Sequence, residues 1–500
     1  MARRGPRLHR RRRSRLRHTG VQRHPQQRAD VPDARPDVRP RSPRNRCYER
    51  SRHLWQEIQQ DADAFYEPGR FTTFPAYEWT STPRRRGGVV HMHRNVIFNG
   101  RSVPEWGGSA AEMQNRPERL WDWLARACTG DCQVVAIPHN TNLAGGMAFS
   151  ETAWTPHTPD MLRLRAWAEP LIEIHQVKGN SECYRGLGTT DEECNFENFQ
   201  PICEGGREAG CAQASDYVRN ALKAGLRLEA DYGVNPFKFG LLASTDDHQG
   251  LPGATEEDDF TDKPVRRAEA SFPTGAGGPA DNPGGLVGVW AEENTRDSIF
   301  AALKRKETFG TSGPRIRVRF FAGWDYPADL HARRDLVEAA YRGGVPMGAD
   351  LPARPAEAAA PRFVIWATKG ARSANLQKVQ VIKGWADAEG ETHEQVFDAV
   401  CADGIEPTEG TGRCADNGAR VDLSDCSYSS DLGAGELSAT WTDPEFDPAL
   451  RAFYYVRVLE NPTCRWTSHR ALARGEPLPE PALTKERAWS SPIWYTPGGE

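Results

Sequence analysis

The chain has 500 residues, 38% apolar and 26% charged, which is enough for two or three domains with sizeable cores. No apolar run reaches the length of about eighteen residues that a membrane-spanning helix needs, so no membrane span is expected. Charge is unevenly placed: residues 1–50 hold 17 Arg, no Lys and four acids, a net of +13, and since the whole chain carries −4 the rest carries −17.

Residues 1–46 lack Phe, Trp, Tyr and Ile, and cannot bury enough apolar area to offset the entropy of ordering them, so they are predicted to be disordered. Arg runs neutralise phosphate, which makes a nucleic-acid arm one reading, though nucleic acid is not the expected partner. Arg without Lys, among Pro, His and Gln, is also what a GC-rich gene yields from a wrong frame or start, and this reading suits the composition better. An inert tail is the third reading. From Cys47 the character changes, and Leu54, Trp55, Ile58, Ala62 and Phe65 recur at helical spacing.

Residues 50–313 alternate strand-like and helical patterns. Strands are predicted at Phe71–Trp79, Val89–Phe98, Gln133–Ile137, Leu171–Val177, Phe237–Ser244 and Leu286–Trp290. Helices are predicted after Pro117, with Leu120, Trp121, Leu124 and Cys128 on one face, after Ser215 as N-cap, and after Asn294 or Thr295. This alternation predicts a parallel α/β architecture, barrel or open sheet. Pro273–Gly285 reads as an inserted loop. Residues 314–500 read as a β-rich, sandwich-like domain, with strands at Arg315–Phe321, Phe363–Ala367, Leu376–Lys383, Glu436–Trp441 and Ala452–Leu459 and one helix at Arg334–Tyr341.

Eleven Cys include two clusters, 183/194/203/211 and 401/414/426/464, without the CxxC pairs of a structural zinc site. Disulfides in an exported or periplasmic protein and buried free thiols are the two readings. No signal peptide is recognisable at the N-terminus.

Polar side chains recur where the apolar strands end: Glu78, then His139, then Asp246 and His248. Along Val89–Phe98 a period of two places His91, His93, Asn95 and Ile97 on one face. Imidazoles with carboxylates are a ligand set for Zn, Mn or Fe, and Asp-x-His offers both donors from one short segment.

The runs Phe-Pro-Ala-Tyr-Glu-Trp-Thr-Ser (74–81), His-Arg-Asn-Val-Ile-Phe (93–98), Ile-Pro-His-Asn (137–140), Glu-Ile-His-Gln-Val-Lys-Gly-Asn-Ser-Glu (173–182), Ala-Ser-Thr-Asp-Asp-His (243–248) and Tyr-Tyr-Val-Arg-Val-Leu-Glu-Asn-Pro-Thr-Cys-Arg-Trp (454–466) resemble the bacterial family of domain of unknown function 3604 over residues 52–498. That family is similar to the PHP (polymerase and histidinol phosphatase) superfamily of distorted β/α barrels, whose members hold divalent metals and hydrolyse phosphoesters. The resemblance implies Glu78 as a metal-bridging carboxylate, with His93, His139, Asp246 and His248 as further ligands. His175 and His91 become candidates to orient a ligand, and Arg94, Lys178 or Arg185 to contact a small anionic substrate.

PHP barrels open on a His-x-His strand, and nothing before Glu78 has that form. His91-Met92-His93 has the spelling but follows the Glu. About half of the implied ligand set is therefore absent, and the expected fold is an incomplete PHP-like barrel followed by the β-rich domain. The Arg-rich segment is expected to stand in place of genuine barrel sequence through a frame or start error. Two functional readings follow: a metal-dependent hydrolase, probed by its metal content, and a non-catalytic exported binding or scaffold protein.

Overall fold

Short apolar runs punctuated by Gly, Pro and Asn build the fold, a computed structural model that describes residues 46–150, 157–203, 209–248, 250–258 and 281–498, with the side chains of 46–48 outside the description. The predicted disordered tail, apart from Arg46, and most of the 273–285 loop lie outside these residues.

Helix α1 (Arg46–Ala64) buries Trp55 and Ala62 but leaves Leu54 and Ile58 exposed, and Phe65 is exposed just past its end, so its inward stripe is narrower than the spacing predicts. Strand β1 (Ala76–Trp79) pairs antiparallel with β2 (Arg94–Phe98), and β2 pairs antiparallel with β3 (Val134–Pro138). Helix α2 (Pro117–Ala127) starts on its Pro and turns Leu120, Trp123 and Leu124 onto Trp79, Val96 and Phe98 of this sheet. Helix α3 (Pro159–Ala168), capped by Thr158, was not anticipated.

Strand β4 (Leu171–Gln176) and β5 (Gly240–Ala243) run parallel, the one parallel strand pair among the described residues. Helix α4 (Val218–Tyr232) joins them; it begins after Tyr217, because Ala214–Asp216 forms a separate 3-10 turn that takes Ser215 out of the capping position. The parallel barrel expected from the sequence is thus not formed among the described residues: β1–β3 and β4–β5 belong to separate sheets, and nothing closes them into a ring. The chain between β1 and β2 carries a two-residue-stranded hairpin (Arg84–Arg85 with Gly88–Val89) and no crossover helix, and an antiparallel return needs none.

Strand β6 (Leu286–Val289), helix α5 (Arg296–Arg305, capped by Thr295) and β7 (Thr308–Thr311) lead into the β-rich region. It adds β8 (Arg317–Gly323), α6 (Leu336–Gly343), β9 (Arg362–Thr368), β10 (Leu376–Ala386), β11 (Thr392–Cys401), β12 (Glu436–Thr442), β13 (Arg451–Glu460), α7 (Trp466–Arg474), β14 (Arg487–Ser490) and β15 (Ile493–Tyr495). A seven-stranded antiparallel sheet runs β11-β10-β13-β14-β7-β6, with β15 also on β13, so it takes strands from both sides of residue 314.

Alternation along β13 gives this sheet two faces. Tyr454, Val456 and Val458 pack against Phe320 and Phe363 of a four-stranded sheet made of Val345–Pro346, β8, β9 and β12. Phe453 and Tyr455 face the other way, onto Leu222 and Leu226 of α4 and Ile172 and Leu241 of β4 and β5. Gly310 lets β7 press against β5: a Cβ there would lie 2.8 Å from Ala243 N. The end of β5, where Asp246 follows, is held by that contact.

Candidate metal centre

Strand ends create the site. In β1, Trp79 turns into the core and Glu78 to the opposite face; the register sets Glu78 against Asn95 and Trp79 against Arg94, which leaves His93 just beyond the paired residues. The extended strand predicted over 89–98 is therefore confined to 94–98 and the two residues 88–89, and His91 and His93 sit in the loop leading into β2. Pro138 ends β3 and places His139 beside them.

Four predicted residues, His93, His139, Asp246 and His248, converge on the carboxylate of a fifth, Glu78. Glu78, His93 and His139 form one group with all donor atoms within 4.8 Å of each other, and Glu78, Asp246 and His248 form another. His93 Nδ1 is 2.7 Å and His139 Nε2 3.6 Å from Glu78 Oε1; His248 Nε2 is 3.7 Å from Oε2. Although burial works in the opposite direction, His139 and His93 hold the Glu78 carboxyl far below the usual carboxylate range. The His139 imidazole is raised, because Glu78, Glu173 and Asp246 together outweigh its complete burial. Burial lowers His93, with Glu78 opposing.

Asp246 and Asn140, the residue after His139, both adopt left-handed backbone, φ 52° and 56°. Asp and Asn tolerate this conformation better than most residues, and here it turns the chain sharply at two strand ends. The Lys178 ammonium pairs with Asp246 Oδ2, so its charge is already engaged rather than free for an anion. Arg94 is buried and committed elsewhere: Nε donates to Glu169 Oε1 at 2.8 Å and Nη1 to Met92 O. Its guanidinium is thus engaged inside the protein, as the Lys178 ammonium is. Arg185 is exposed.

The His91 ring lies 4.8 Å from that of His93, centroid to centroid, and burial lowers its pKa to about 4. His175 is apart from both groups, packed against Phe196 and Trp489, and burial lowers it to about 4 as well. Glu173 went unrecognised in the sequence. It is 2% exposed, accepts from Ser244 Oγ through Oε2, and burial pushes it up to about 7. The Glu173-x-His175 spacing on an all-buried strand was its available signal.

Several buried polar atoms here have no hydrogen-bond partner: both ring nitrogens of His139, His93 Nε2, Glu173 Oε1 and both side-chain polar atoms of Asn140. Orphaned donors and acceptors at this density are costly unless something else satisfies them. Three imidazoles and two carboxylates fit a divalent transition metal. Two further groups have metal-like spacing, Cys426/Cys464/His469 and Cys183/Asp191/Cys194, but their sulfurs are joined as disulfides and offer no thiolate.

Five disulfides form among the described residues: Cys128–Cys132, Cys183–Cys194, Cys203–Cys211, Cys401–Cys414 and Cys426–Cys464. Such bonds are characteristic of extracellular or periplasmic proteins. No helix among the described residues is long and apolar enough to cross a membrane. No curated relative and no solved structure matches the chain. Residues 10–497, a stretch that opens inside the Arg-rich segment and takes in the whole site, match the family described as protein of unknown function (DUF3604), and the chain belongs to that family.

Proposed function

We propose that this protein is an exported metal-dependent hydrolase acting on small phosphoesters. The observation behind this reading is the meeting of two donor groups on one carboxylate, Glu78, from strand ends far apart in the chain. The likeness of the sequence motifs to PHP phosphoesterases supplies the reaction class, and the disulfides favour an oxidising compartment.

Glu78, His93, His139, Asp246 and His248 would hold the metal. Divalent ions in such sites supply Lewis-acid polarisation of a phosphoryl oxygen and a nucleophilic water at neutral pH. The protein's own part is positional. Glu78 stays ionised under its two imidazoles, and the ion pair with Lys178 orients the Asp246 carboxylate. The left-handed turns at Asn140 and Asp246 fix where the donors of their strand ends lie.

The test is elemental analysis of purified protein together with hydrolysis of bis(p-nitrophenyl) phosphate after loading with Zn, Mn or Fe. Bound metal and turnover that both vanish in Glu78→Ala and Asp246→Ala support the hydrolase. A folded wild type with near-zero metal and no turnover after loading rejects it in favour of a non-catalytic scaffold.

A further inference from the structure

A cavity of about 190 Å³ opens between the Thr255–Asp258 segment, the Gly370–Ala374 turn and the start of α7. Five carboxylates line it together with Arg315 and Arg372: Glu256, Asp258 and a set of three, Glu257, Glu460 and Glu486, and the last two are 1% and 4% exposed. Glu486 accepts from Ser312 Oγ and, at 3.1 Å, from Thr484 Oγ1; Glu257 accepts from the Trp466 N–H. Glu460 Oε1 accepts from Ser373 Oγ at 2.6 Å, but its Oε2 is buried with no partner.

None of the three is in an ion pair among the described residues. Arg465, whose charge reaches Glu257 and Glu486, is forked onto Glu197 at 2.7 and 2.8 Å. Arg372 at the rim is paired with Glu256. An ionised carboxylate this deep requires a counter-charge or a proton, and burial accordingly pushes Glu460 up to about 8 and Glu486 to about 7.

Spacing and wall chemistry identify the missing partner. Unlike the residues around Glu78, these three carboxylates do not form a group with every donor atom within 4.8 Å, which is too open for a bare metal ion. Tyr428, Pro314, Ala371 and Ala374 contribute apolar wall between them. We infer that this cavity binds the primary ammonium group of a small organic amine, with Glu460 Oε2 as its principal acceptor. The inference is independent of the metal centre.

Calorimetric titration of the whole chain with putrescine tests it. Wild type should bind saturably, and Glu460→Gln should bind at least about ten-fold more weakly, the size expected for a charge-assisted hydrogen bond. Ala371→Arg, a substitution at an exposed rim position, should also weaken binding while leaving the circular dichroism spectrum unchanged, and it decides the matter should Glu460→Gln fail to fold. Absence of putrescine binding to wild type, or equal affinity in a folded variant, overturns the proposal. So does displacement of putrescine by equimolar calcium chloride, which would mark a metal site.

Discussion

His93 Nδ1 lies 2.7 Å from Glu78 Oε1, a contact made just past the point where β1 and β2 cease to pair. The same carboxylate is approached by His139 on one oxygen and His248 on the other, so it is the one donor shared by both groups. Replacing Glu78 by Gln keeps its shape and removes its charge. Metal content, measured by elemental analysis, should fall by more than about ten-fold, a loss at least equal to that typical of perturbing residues that support metal ligands. His248→Ala should cost less, because that imidazole is 62% exposed and belongs to only one group. Unchanged metal content in Glu78→Gln would sink the shared-carboxylate arrangement.

The residues that meet at Glu78 were readable because polar groups interrupt or closely follow apolar runs: Glu78 lies within β1, His139 directly follows β3, and Asp246 comes shortly after β5. Strand direction was not readable. Period-two apolar patterns are the same in parallel and antiparallel strands, and β1, β2 and β3 turned out antiparallel. Strand β11, Thr-His-Glu-Gln-Val-Phe-Asp-Ala-Val-Cys, escaped notice because it lies at the edge of the seven-stranded sheet, mostly half-buried, and reads as polar. Arg94 looked available for an anion only because its partner, Glu169, lies 75 residues away.

Acid should unfold the protein through Glu182. Burial alone would raise this carboxyl, but Arg457 and Arg219 overcome it and lower the pKa from 4.5 to about 2. A depressed carboxyl contributes stability that is fully present above the unfolded value of 4.5 and is lost as pH falls through about 2. Urea unfolding followed across that window should lose on the order of 3 kcal/mol. Glu182→Gln should flatten this slope. It should also cost roughly 3–5 kcal/mol near neutrality, because two buried guanidinium groups lose a partner. A slope that is unchanged in the variant would assign the acid sensitivity elsewhere.

The disulfides should differ in value by the length of chain they close. Cys426–Cys464 spans 38 residues and Cys128–Cys132 only 4. Loop-closure entropy assigns about 4 kcal/mol to the first and about 2 to the second. Paired Cys→Ser variants, unfolded in urea under oxidising conditions, should rank in that order. Equal losses would indicate that local packing, rather than restriction of the unfolded chain, sets their worth.

Asp246 has two jobs that substitution can separate. Its φ of 52° is left-handed, and its carboxylate belongs to a metal-spaced group while pairing with Lys178. Asp246→Asn keeps a side chain that tolerates the left-handed backbone and removes the charge; Asp246→Ala removes both, adding about 1–2 kcal/mol of backbone cost. Bound metal should therefore drop in both variants, whereas urea unfolding of the metal-free protein should show a larger deficit for Ala than for Asn. Asp246→Gly carries no Cβ and should recover part of the Ala deficit without recovering metal. Should Asn lose as much stability as Ala, the ion pair with Lys178 rather than the turn would be what holds this strand end, and the donor geometry around Glu78 would depend on charge more than on backbone conformation.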